Sequence, residues 1–202
     1  MPRRLIIGIS GASGVIYGIR MLEVLREVPD LETHLVVSGP ARQTIALETR
    51  FEIDAVRALA DVNYRINDIA ADIASGSYHT HGMVIVPCSI RTLAGVAYSL
   101  SDNLLLRAAD VMLKERRPLV LVVRETPLHL GHLRLMARVA EIGGIIMPPV
   151  PAFYQHPQSL NDIINQTVNR VLDQLGIALS VDLFPRWPGQ ESVGRNASEW
   201  DK

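Results

Sequence analysis

A chain of 202 residues, 48% hydrophobic and 20% charged, is long enough for one substantial core, and no low-complexity break marks off a second domain. A formal net charge of −1 offers no basic excess for nucleic acid or an anionic membrane. Apolar runs such as PLVLVV (118–123) are far too short to span a bilayer, and the single Cys88 excludes an intrachain disulfide and fits a reducing cytoplasm.

In chain order, Arg3 and Arg4 precede only LIIGI before glycines intervene, so no secretory signal is expected and the sequon Asn196-Ala197-Ser198 is read as coincidence. Strands are predicted at RLIIGI (4–9), THLVVS (33–38), GMVIVP (82–87), PLVLVV (118–123) and GIIMPP (143–149). Their near-continuous hydrophobicity is that of strands buried on both faces. Helical patterns fall between and after them, at 15–28, 40–50, 103–116, 130–142 and 159–175. This alternation predicts an α/β fold, a doubly wound Rossmann-like parallel sheet in one domain, 1–187. Residues 188–202, rich in Pro, Gly and charge, read as a flexible tail; FPRWPG (184–189) is a segment that can dock. Ligands of such sheets sit beyond the carboxyl ends of the strands, so the loops after each strand carry the information.

The first of these is GISGASG, Gly8 to Gly14. Its glycines allow backbone amides to approach an anion at a helix N-terminus. It fails the dinucleotide fingerprint, with Ile9 where glycine is needed, and it lacks the Lys-Ser/Thr ending of a P-loop. Two readings stay open: a mononucleotide loop, or a tight turn in which Ser13 caps the next helix. PCSIRTLAGVA (87–97) repeats the pattern after the third predicted strand, with Arg91 able to pair with an anion. No activating histidine accompanies Cys88, which reads as a buried, inert thiol.

LKERRPLVLVVRETP (113–127) is the densest constellation. Its leading cations suit a helix C-terminus. Arg124-Glu125, directly after a buried strand, would be a costly pair there unless it served a site. Arg124 suits a phosphate clamp and Glu125 suits proton transfer. His129 and His132 stand three apart without a third ligand, so no metal site is expected. PPVPAFYQHP (148–157) presents Phe153 and Tyr154 from a proline-stiffened loop, suited to an apolar substrate with a polar head. Arg170 reads by itself as an ordinary surface residue of the last helix.

Taken together, GISGASG, LETHLVVS, ASGS, GMVIVPCSIRTLAG, NLLLRAADVMLKERRPLVLVVRETPLHLGHL and MPPVPAFYQHPQS closely resemble the UbiX-type flavin prenyltransferases, a family formerly labelled aromatic-acid decarboxylases. The resemblance runs from Leu5 to Trp187. It implies a cytoplasmic homododecamer with active sites at subunit junctions. There the dimethylallyl group of dimethylallyl phosphate would be joined, without a metal, to N5 and C6 of reduced FMN. Prenylated FMN, the product, would serve a UbiD-type decarboxylase. By motif position, Gly11, Ala12, Ser13, Ser38, Cys88, Ser89, Ile90, Arg91 and Arg124 match flavin-binding residues. Tyr154 and Arg170 match dimethylallyl-phosphate ligands, with Lys114 and Glu125 lining the phosphate site; Arg107 and Trp187 match further pocket residues. Ser13, Glu125 and Lys114 are the expected catalytic groups. One departure is visible: Gly39-Pro40 stands where the family usually has Lys-Ala, removing a cation near the flavin phosphate.

Two other readings belong to different classes: a direct hydroxyaryl or phenylacrylic acid decarboxylase, and a passive flavin-binding protein. A phosphopantothenoylcysteine decarboxylase-like flavoprotein would need an early catalytic histidine. The early histidine here, His34, falls within a predicted strand.

Overall fold

The computed structural model describes residues 2–154 and 156–186. Six strands form one parallel sheet in the order β3-β2-β1-β4-β5-β6. They are β1 (Arg3–Ile9), β2 (Leu31–Val37), β3 (Val62–Tyr64), β4 (Gly82–Cys88), β5 (Leu119–Val123) and β6 (Ile145–Ile146). The expected doubly wound sheet is present. β3 and the short helix α3 (Ile53–Arg57) are additions, since three and five residues are too few to show a hydrophobic period. β6 is cut from the expected 143–149 to two residues, because Pro148 and Pro149 cannot donate to the ladder.

Both faces of the sheet are covered, which explains the unbroken hydrophobic runs. Along β1, Leu5, Ile7 and Ile9 point into one core, against α1 (Val15–Leu25) and α7 (Leu160–Gln174). Ile6 points into the other, shared with α4 (Ile90–Ala97) and α5 (Leu104–Lys114). The remaining helices are α2 (Gly39–Glu48), on the side of α1, and α6 (Leu130–Glu141), on the side of α4. α1 lies unusually close to the sheet: a Cβ at Gly18 would sit 2.5 Å from Val86 O.

Chain direction reverses its connectivity between β1 and β4, the switch point at the carboxyl edge of the sheet. A buried serine joins the two loops there. Ser10 Oγ donates to Pro87 O at 2.8 Å and accepts from Ser89 N at 2.8 Å. The predicted tail, 188–202, and Trp187 lie outside the described residues.

Candidate functional site

Two clefts open at the switch point, one on each side of the Ser10–Gly14 turn. The first, about 390 Å³, has Gly11, Ser38, Ser89 and Arg91 in its wall, together with Asn67 and Asn103. Two serine-capped helices begin on it, beside a third, α5, which Asn103 caps. Ser38 caps α2 by accepting from Ala41 N at 3.2 Å, and Ser89 caps α4 by accepting from Thr92 N at 3.3 Å. The positive ends of both helix dipoles and the Arg91 guanidinium therefore meet one cavity, a setting for an anionic phosphate. Gly11 is required by contact: a Cβ there would overlap the Pro40 ring, so the glycine turn and the start of α2 close on each other. Gly39 has nothing within 4 Å of an added Cβ, so a side chain at this position would enter open space.

The second cleft, about 780 Å³, is walled by Val123, Leu128, Pro148, Pro149, Val150 and Ile164. Its polar groups are few: Ser13, Tyr17, Glu48, Arg124, Glu125 and Thr126. Such a cavity takes an apolar skeleton while presenting a few proton-carrying and anion-holding groups. Glu125 Oε1 accepts from Thr126 N at 3.0 Å, which orients the carboxylate. Arg124 N donates to Cys88 O at 3.0 Å, which ties the RET loop to the end of β4.

Ser13 does not cap α1. Gly14 occupies the cap position at φ 93 with no side-chain bond, and Glu48 Oε2 instead accepts from Gly14 N at 2.8 Å. The left-handed backbone at Gly14 turns Ser13, half-buried, into the second cleft. Arg124 and Glu125 are also differently placed from expectation. Both are exposed and neither forms an ion pair among the described residues, so the desolvation cost expected of a buried pair does not arise.

The comparisons with known proteins agree with this arrangement. A family profile described as Flavoprotein matches residues 1–172. Flavin prenyltransferase UbiX of Escherichia coli strain K12 is 69% identical over 187 residues, 93% of this chain and 99% of that protein. The chain belongs to the flavin prenyltransferase family. Among solved structures, AnUbiX (PadA1) in complex with FMN and dimethylallyl pyrophosphate is 48% identical with a TM-score of 0.89, covering 94% of this chain and 99% of the other. A dodecameric FMN-dependent UbiX-like decarboxylase from Escherichia coli O157:H7 is 48% identical with a TM-score of 0.87, covering 92% and 99%.

The residues matched to flavin prenyltransferase motifs do not all gather at these clefts. Gly11, Ser38, Ser89 and Arg91 line the first; Ser13, Arg124 and Glu125 line the second. Ala12 lies between them in the turn, its N–H donating to Ser10 O at 2.9 Å. Cys88 is fully buried, and burial pushes its thiol pKa far up, so only its backbone faces the loop. The Ile90 side chain packs against the second core. Tyr154 is half-exposed in the loop whose prolines wall the second cleft.

The three basic residues expected in the substrate pocket, Lys114 and Arg170 at its phosphate and Arg107 nearby, lie elsewhere in their own chain. Lys114 ends α5, which runs back from the carboxyl edge toward the start of β5, and pairs there with Glu115. Arg107, on the same helix, donates to Ala74 O at 3.1 Å and pairs with Asp110 at 3.1 Å. Arg170 stands exposed on α7, six residues beyond Ile164, and pairs with Asp173 at 2.9 Å. None of the three lines either cleft of the chain that carries it. Trp187 falls outside the described residues.

Glu48 and Tyr17 line the second cleft without having been singled out in the sequence. Glu48 did carry a signal: it is a carboxylate in the last turn of a helix, where the dipole opposes it. Tyr17 carried none, since its neighbours in sequence are ordinary core residues of α1. Burial raises its phenol pKa, and Thr167 of α7 bonds to it. The His129 and His132 ring centroids lie 3.6 Å apart with the rings tilted by 33°, and no group of three metal-ligating side chains occurs among the described residues.

Proposed function

We propose that this chain transfers the dimethylallyl group of dimethylallyl phosphate to N5 and C6 of reduced FMN, releasing phosphate and providing prenylated FMN to a UbiD-type decarboxylase. The observation that carries this is the pairing of clefts about one glycine turn. One cleft presents two helix N-termini and an arginine to an anion; the other is apolar with a carboxylate and a serine at its wall. The residues present fit FMN. Ser38, Ser89, Arg91 and the Gly11 turn would hold its ribityl phosphate end, and Arg124 and Ser13 would lie toward its ring. Bound and reduced, FMN supplies the two nucleophilic positions that accept the five-carbon unit.

The protein's own contribution is positioning and charge. The proline-walled cleft encloses the allylic skeleton and excludes water, which protects a carbon made electrophilic by loss of phosphate. Charge-assisted bonds from Lys114 and Arg170, with the Tyr154 hydroxyl, stabilise phosphate as its C–O bond breaks. Glu125 accepts the proton lost from C6, with Ser13 beside it as a hydroxyl that can pass a proton on. Glu48 holds the Gly14 N–H and with it the turn that carries Ser13.

Lys114, Arg107 and Arg170 line no cleft of their own chain, so in this reading they act at junctions between copies. A homododecamer, the state of the similar UbiX-like protein, supplies such junctions. A cytoplasmic location belongs to the same reading; separately, no helix among the described residues is long and apolar enough to cross a membrane.

The test is anaerobic incubation with reduced FMN and dimethylallyl phosphate, followed by mass measurement of the extracted flavin. A mass increased by one five-carbon unit is expected. An unaltered flavin mass overturns the reading, and CO2 release from an aryl acid by the pure protein would favour direct decarboxylation instead.

A further inference from the structure

Beyond α7 the chain turns back and lies along that helix. Leu183 N donates to Asn169 Oδ1 at 2.9 Å, and Asn169 is buried within α7. Phe184 is buried as well. The arm ends in an ionic cluster. The Arg186 guanidinium grips Asp182 through Nε at 2.6 Å and Nη2 at 2.7 Å. It grips Asp173 through Nη1 at 3.1 Å and Nη2 at 2.9 Å. Two bidentate pairs on one guanidinium form a network, the arrangement in which exposed ion pairs carry weight. Bonding to Arg186 holds the Asp182 carboxyl below its usual range, and Arg186 itself is pushed up.

Arg170 enters this cluster at its margin. Its Nη1 donates at 2.9 Å to Asp173 Oδ2, the oxygen that Arg186 Nη1 also uses. Asp173 is therefore divided between two guanidiniums. Arg186 takes both oxygens, and Arg170 makes one bond and keeps the rest of its fork. The charges balance, two guanidiniums against two carboxylates. Without Arg186, Asp173 would be left to Arg170 alone, free to form a two-bond clamp, and the cluster beside Arg170 would carry a net negative charge. Both changes oppose a phosphate.

We infer that Arg186 is a positioning residue for substrate binding: by occupying Asp173 it keeps the Arg170 guanidinium available to the phosphate of the prenyl donor. The inference rests on the reading of Arg170 as a phosphate ligand. It gives Arg186 a task that the sequence alone does not disclose. The C-terminal arm sets the charge and freedom of a binding residue two turns of helix away from the cleft-lining Ile164.

The decisive measurement is KM for dimethylallyl phosphate in the FMN-loaded full-length protein, alongside kcat, FMN affinity and the affinity for dimethylallyl phosphate by calorimetry. Arg186→Ala is expected to raise KM and Kd about tenfold, with kcat and FMN affinity little changed. Arg186→Lys, which keeps the charge without the fork, should fall between. Asp173→Asn should not weaken binding, because it releases Arg170. The double variant should then resemble Asp173→Asn, a non-additivity that a loosened arm would not produce. If Arg186→Ala weakens binding as much in the Asp173→Asn background as alone, the inference is wrong. Arg170→Ala separates the two levels. Unchanged KM there overturns the phosphate reading of Arg170 and this inference together. Raised KM there, with unchanged KM in Arg186→Ala, overturns this inference alone.

Discussion

Glu125 and Ser13 face the same apolar cleft from different strands' ends, and neither is held by an ion pair among the described residues. That leaves the Glu125 carboxylate able to take up a proton, since its one local bond is from the Thr126 N–H. Replacing it with glutamine preserves shape and that bond while removing the base. Glu125→Gln is therefore expected to slow prenyl transfer by about two orders of magnitude, the ordinary contribution of general base catalysis, with FMN affinity retained. Single-turnover kinetics by flavin absorbance, with FMN titration as control, would read both. Full activity in this variant would remove Glu125 from the proton-transfer role. Glu48 acts one step back: it fixes Gly14 through its backbone, so its loss should disturb the turn that carries Ser13 rather than remove a proton acceptor.

At the scale of elements, the site depends on loops being held to one another. Ser10 ties the end of β1 to the end of β4 through two bonds of 2.8 Å, and it is almost wholly buried. Ser10→Ala would leave the Ser89 N–H without its partner, while the Pro87 carbonyl keeps only the Ser10 backbone N–H at 3.2 Å. A loss of about 1–3 kcal/mol in unfolding free energy is expected, measured by urea titration. FMN affinity should fall too, because Ser89 begins the helix that faces the phosphate. Gly11→Ala tests the neighbouring contact between the glycine turn and Pro40. Overpacking of this kind costs about 1–3 kcal/mol, and it displaces the start of α2 from the first cleft. FMN binding, followed by fluorescence quenching, should weaken more than tenfold, in line with a loss above about 1.4 kcal/mol. Unchanged affinity would mean that α2 does not help to hold the flavin.

At the scale of the whole molecule, stability responds to pH near neutrality through a buried histidine of β2. His34, buried in β2, lies 2.7 Å from Glu32 Oε1 and 3.0 Å from Tyr64, and Arg4 Nε donates to that same Glu32 oxygen at 3.1 Å. Burial lowers its pKa below the ordinary 6.5, although Glu32 works in the opposite direction. The folded protein thus binds this proton less readily than the unfolded chain. Stability from this group is complete above pH 6.5 and is lost progressively as pH falls below that value toward the folded pKa. His34→Phe, which keeps an aromatic ring against Tyr64, should flatten the dependence of unfolding free energy on pH between about 7.5 and 5.5. An equal slope in both proteins would place the sensitivity elsewhere.

Much of this architecture was legible in the chain. Five of six strands follow from continuous apolar runs, because a parallel sheet covered on both faces needs little else. The glycine turn and the serine-led helix starts at Ser38 and Ser89 follow from local backbone chemistry, and the motifs around them carry the family. β3 and α3 were not legible, being too short for a period. Sequence alone could not choose between the two readings of Ser13, because whether a serine caps a helix depends on the φ of the residue after it, here the left-handed Gly14. Sequence alone therefore determined the fold class, the family and the loops that matter. Tertiary structure alone decided which residues share a cavity. It separated Lys114, Arg107 and Arg170 from the clefts of their own chain, brought Glu48 and Tyr17 in, and set Arg186 against Asp173. Local patterns record what a residue does to its own backbone; distances between elements come from packing, which no short stretch of sequence contains.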